Sequence, residues 1–279
     1  MFVFVGVFVF GPEQEPTEPG PPVPEQRASI LDILDDAPTR SAVEALRAAA
    51  PATYAALDAE AAYASADGAD AAEISGLALE ALFSQFQAQA SAIKSAESAA
   101  HQNILAGFAG GLKQLKASNS AWCEGNKVAE YLTQNEDELA PSLLSEFPYQ
   151  SPQYDWAMDW MTVVLNAAQQ GQVRPRRYQR PGFRDETLLQ QEGLALGSEQ
   201  WALALQIAAF VNSEGTSYAK MKDVIAGMDV CDLGIAVEAV SARLPGDVRG
   251  RIWADLMPEI MVGNTPYVMW RVTDYFFIG

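Results

Sequence analysis

From residue 69 to residue 116 the chain runs without a proline, and residues 28–100 hold 26 alanines. Alanine is the strongest helix former and proline the strongest helix breaker, so this stretch is confined to helix. Leu82, Phe86, Ile93, Ile104, Phe108, Leu112 and Leu115 recur within it at helical spacings. Such a stripe marks a face that seeks a core. It predicts one long helix, or two with the break at Gly110-Gly111, since each glycine costs about 1 kcal/mol in a helix.

The remainder reads the same way. Ser29 is placed to cap a short helix through Leu34, and Thr39 to cap the segment SAVEALRAAA. Pro51 suits the first turn of a helix running to Ala64, and Asp67-Gly68 reads as a turn. Further helices are expected at 120–134, 136–146, 153–171, 184–195, 198–213, 216–227, 229–243, 245–262 and 265–277. Ser198, Asp229 and Thr265 are suitable caps, and Pro266 suits a first helical position. Beyond residue 27 no period-two alternation or hairpin turn signals a strand. The expected fold is all-α, a bundle or irregular array of about 10–12 helices. Alanine density falls after residue 150, which divides the body into an acidic Ala-rich region, 28–150, and a second helical region, 151–279, packed on it.

Two segments precede the body. Residues 2–10 read FVFVGVFVF, and residues 11–26 read GPEQEPTEPGPPVPEQ. The apolar run is shorter than the ~20 residues a membrane-spanning helix needs. It lacks the basic flank and small-residue cleavage site of a secretory signal. Three readings stand: the second half of an anchor helix, a β-strand, or a segment buried at a lipid surface or partner. The Pro/Glu tract favours extended polyproline II, and at about 3.1 Å per residue it spans roughly 50 Å.

Net charge is −18, and residues 1–150 carry 21 acidic side chains against 7 basic ones. A field of this sign repels nucleic acid, so no nucleic-acid partner is expected. Cys123 and Cys231 are the two cysteines. Spacing leaves a single bridge and two buried thiols equally open. A bridge closing so long a loop would contribute roughly 4–5 kcal/mol. No CxxC pair is present, and one histidine, His101, cannot supply a zinc site. No metal or cofactor is therefore expected. His101, between Ala100 and Gln102, is expected to be a partly exposed helix residue.

No phosphate-binding loop, dinucleotide fingerprint or nucleophile elbow occurs. Ser91–Lys94 and Ser217–Lys220 match SxxK but lack the partner motifs of that chemistry. Three local features remain. Asp155 and Asp159 share a helix face beside Trp156 and Trp160, a pattern compatible with a glycan site where one acid protonates a leaving oxygen. Arg174, Arg176, Arg177, Arg180 and Arg184 fall within eleven residues, with Tyr178 among them and Pro175 and Pro181 restricting the loop. Guanidinium groups pair with carboxylates and phosphates, so three readings stand: an anion- or lipid-headgroup-binding site, a docking site for an acidic partner, or internal pairing with the acidic first half. Finally, Trp270, Tyr275, Phe276 and Phe277 form an aromatic end. On that last helix Val268, Val272 and either Tyr275 or Phe276 are expected to share one stripe, with Arg271 and Asp274 elsewhere.

These features lead to one expectation of function. The chain is a non-catalytic, membrane-tethered accessory or scaffold subunit, periplasmic or otherwise extracytoplasmic. It binds other proteins of a membrane complex through the arginine loop and aromatic end, with lipid contact through residues 2–10. Two alternatives stand beside it: a glycan-binding or glycan-cleaving protein using Asp155 and Asp159, and a soluble cytoplasmic protein oligomerising through an N-terminal strand.

Overall fold

The computed structural model describes residues 28–131, 147–196, 225–263 and 265–277. The apolar segment, the Pro/Glu tract, the helices expected at 136–146 and 198–213, most of that at 216–227, the Ser198 cap and the Ser217–Lys220 pair lie outside these residues. Among those described there are eleven α-helices and one 3-10 turn. Pairing of extended backbone is confined to an isolated bridge between Glu124 and Asp229. The described body is all-α.

Helix α1 (Ile30–Ile33) is held by Ser29, whose hydroxyl accepts from Leu31 N and donates to Asp58 at 2.8 Å. Helix α2 (Ala37–Ala49) starts earlier than its sequence spacing predicts. Asp36, not Thr39, is the cap, and its carboxylate accepts from Thr39 N at 2.7 Å. Thr39 is instead buried, sharing a 2.7 Å hydrogen bond with the Tyr154 hydroxyl. Helix α3 (Pro51–Ala66) opens on its proline, and α4 (Ala71–Lys94) on an Asp70–Glu73 capping box.

The long proline-free stretch does break, but not at its glycine pair. Helix α5 (Ser98–Ala117) follows α4 after Ser95, Ala96 and Glu97, and passes through Gly110-Gly111 as helix. The reason is tertiary. At the break, the Glu97 amide donates to Gln170 Oε1 at 3.2 Å, so a group freed by leaving the helix finds a partner. At Gly111 a Cβ would stand 1.9 Å from Trp156 Cε2, so the glycine admits an indole ring rather than a bend.

The 3-10 turn Ala121–Cys123 leads into α6 (Gly125–Tyr131). Then come α7 (Pro152–Val173), α8 (Phe183–Ala195), α9 (Val230–Arg243, capped by Asp229), α10 (Gly246–Met261) and α11 (Thr265–Phe277). Helix α7 lies across α2, α4 and α5, while α10 packs on α4 and α5, and α9 on α5. One buried cluster unites Ile30, Leu46, Ile74 and Ile93 with Met158, Leu165, Ile252 and Tyr275. The core therefore runs unbroken across the composition change at residue 150. A smaller cluster around Trp122, Val128 and Met228 contains a disulfide between Cys123 and Cys231, whose Cα atoms are 4.9 Å apart. Among the described residues, no helix is long and apolar enough to cross a membrane.

Candidate docking site

Helix α7 ends where the sequence VRPRRYQRPGFR begins. Pro175 and Pro181 lack amide donors and fix φ, so the helix cannot continue. Residues 175–182 run without regular structure to α8. They form a strap across the α4–α5 break. The Arg176 amide donates to Ser95 O at 2.7 Å, and its guanidinium donates to Glu97 Oε1 at 2.8 Å. That ion pair is solvent-exposed, so solvent and salt screen it and it adds little to stability. The Tyr178 hydroxyl donates to Ala96 O at 2.9 Å. Its ring rests on Gly250 of α10, where a Cβ would come within 2.4 Å of Tyr178 Cε1. Only glycine admits that approach.

The far end is clamped as firmly. The Gly182 amide donates to Asp185 Oδ2 at 3.1 Å. Asp185 also accepts two hydrogen bonds from Arg251 of α10, Nε at 2.8 Å and Nη2 at 2.7 Å. The Arg251 contact holds the Asp185 carboxyl below the ordinary carboxylate range. Arg184 lies in the first turn of α8 rather than in the loop, one residue before this clamp.

The five arginines thus divide into two groups. Arg176 is anchored to the body. Arg174, Arg177, Arg180 and Arg184 are exposed, and among the described residues none has a carboxylate within ion-pair distance. Val173 precedes them and Phe183 lies just before Arg184, at 69 % and 67 % exposure. Fixed backbone, four uncommitted guanidinium groups and an exposed ring make a surface that can take carboxylates bidentately and an apolar side chain beside them.

His101 belongs to the footing of this strap. It is fully buried, contrary to the expected partial exposure, because Tyr178 covers it with ring centroids 5.9 Å apart. Its Nε2 meets Ile93 O at 2.8 Å, and Nδ1 is buried without a hydrogen-bond partner. Burial, foremost, holds its pKa below the ordinary 6.5, and the nearby Arg249 charge acts in the same direction.

The other expected sites fall elsewhere. Trp156 and Trp160 donate from Nε1 to Gly107 O at 3.0 Å and Ile104 O at 2.9 Å. Both rings also pack on Phe108. These indoles join α7 to α5 instead of standing as an open platform. Asp155 sits in the first turn of α7, where a carboxylate suits the helix dipole. Asp159 is exposed as a residue, and its pKa is raised by partial desolvation of the carboxyl and then by the Asp155 charge.

At the aromatic end, Tyr275 is fully buried and cannot be an interface residue. Its hydroxyl donates to Asp255 at 2.7 Å. Arg271, expected away from the buried stripe, lies on it: it pairs with Asp255 at 2.8 Å and with Asp274, and covers the Tyr275 ring at 4.4 Å. Trp270 remains 49 % exposed beside Tyr267. The side chains of Phe276 and Phe277 lie outside the described residues. Ligand atoms of Cys123, Asp229 and Cys231 converge within 4.8 Å. The sulfurs are bonded to each other, and Asp229 caps α9 and pairs with Lys116, so the group is already committed.

The strap's anchor points escape sequence reasoning. Ser95, Ala96, Gly250 and Arg251 carry no motif, and they matter only because the fold brings α4, α5 and α10 together. No family model, curated protein or solved structure matches the chain.

Proposed function

We propose that the chain is a non-catalytic docking module at the cell envelope that binds an acidic partner protein through the strap. The observation that carries this reading is the set Arg174, Arg177, Arg180 and Arg184. Four exposed cations without acceptors among the described residues stand on a backbone clamped at both ends, in a chain of net charge −18. Solubility does not call for such a set, and internal pairing among the described residues does not use it. Exposed Trp270 offers a second contact face. The disulfide supports an oxidising compartment over the cytoplasmic alternative. Residues 2–10 would supply attachment.

The test is recovery of partners from detergent-solubilised membranes, with Arg174, Arg177, Arg180 and Arg184 all replaced by Gln in one variant. An acidic protein captured by the native chain should be lost from the variant, and lost from the native chain as salt rises, because exposed charge pairs are screened. A recovered set that ignores both changes would overturn the docking reading.

A further inference from the structure

The strap and the N-terminal tract are complementary in sequence. One alternates arginine with proline and aromatic residues. The other, residues 11–26, alternates glutamate with proline. Polyproline segments dock on aromatic surfaces, and glutamates take guanidinium groups. We propose that the strap's resident occupant is this chain's own Pro/Glu tract, folded back in cis, with Glu13, Glu15 and Glu18 on the four free arginines and a proline against Phe183. The proposal rests on the docking reading and extends it: a partner must displace the tract.

The tract can reach. Ser29 Oγ is 3.1 Å from the Tyr54 hydroxyl, and Ala49 O accepts from Gln172 Nε2 at 3.1 Å. A walk from Ser29 through Tyr54 and Ala49 to Gln172, two residues before Arg174, is roughly 30 Å, and the straight line is shorter. At about 3.1 Å per residue, Glu18 extends ~34 Å from Ser29 and Glu13 ~50 Å. Glu25 extends only ~12 Å, less than half of that walk. The tether also raises local concentration to about 1 mM. Against an intrinsic Kd of about 0.1 mM, self-occupancy would weaken binding in trans roughly tenfold.

The experiment uses a fluorescent peptide of residues 11–26, titrated against the full chain and three surface variants. In the first, Glu13, Glu15 and Glu18 are Gln; in the second, Glu25→Gln alone; in the third, the first variant also has the four arginines as Gln. The first variant should bind the peptide roughly tenfold tighter than the native chain, Glu25→Gln should match the native chain, and the third should not bind. Equal affinity in the native chain and the first variant overturns the latch while leaving the docking surface standing. An absence of binding by the first variant overturns the tract as occupant and leaves the partner-docking test standing, whereas binding that survives arginine replacement overturns both. Should native masking vanish on dilution while sedimentation shows dimers, the occupant is a second copy, and the cis arrangement falls.

Discussion

His101 donates from Nε2 to the Ile93 carbonyl, and Nδ1 is buried with no partner among the described residues. Burial favours the neutral form of the ring. Protonation would place a second N–H in a dry site facing the Arg249 charge, under the Tyr178 ring. A histidine whose folded pKa is depressed is protonated first in the unfolded chain. Stability is then unaffected above the unfolded value near 6.5 and falls as pH drops below it. We expect the native chain's urea midpoint to decline between pH 7 and 5.5, and His101→Gln, whose amide can still reach Ile93 O, to flatten that decline. Parallel pH profiles would show the ring to be inert. Nothing adjacent in sequence announces this burial. Ala100 and Gln102 suggest a surface, and the residue that covers the ring arrives from the strap.

Helix α5 separates two meanings of glycine. At Gly110 a Cβ would meet no atom within 4 Å, whereas at Gly111 it would lie inside the Trp156 ring. Gly110→Ala should accordingly stabilise by up to ~1 kcal/mol through helix propensity. Gly111→Ala should destabilise by about 1–3 kcal/mol through overpacking. Denaturant midpoints of the two variants read out the contrast, and a stabilising Gly111→Ala would refute the packing account. The same helix shows how far sequence reaches. Apolar spacing at Leu82, Ile93, Ile104 and Leu115 marks residues that the fold buries, since periodicity records a face. Propensity cannot record which turn a distant helix will press against. It therefore places the break at the glycines, and the fold places it at Ser95–Glu97. The strap was legible as a basic cluster, but its division into one anchored and four free arginines depends on Glu97, Asp185 and Arg251.

Across the whole molecule, the chief constraint is that elements far apart in sequence meet in one core. Helix α7 contacts α2, α4 and α5, and α10 closes over α4 and α5. The link between Cys123 and Cys231 spans a separation of 108 residues. Loops of that length lose the most unfolded-state entropy, about 4–5 kcal/mol in the chain-entropy model. Replacing both cysteines with Ala should lower unfolding free energy by about 4 kcal/mol in urea titrations. An unchanged midpoint would mean that the bridge contributes nothing to the fold. The strap falls within the closed ring that this bridge makes. A protease that severs the backbone there breaks the circle without parting the molecule, so the nicked polypeptide remains a single covalent object until a reductant reaches Cys123.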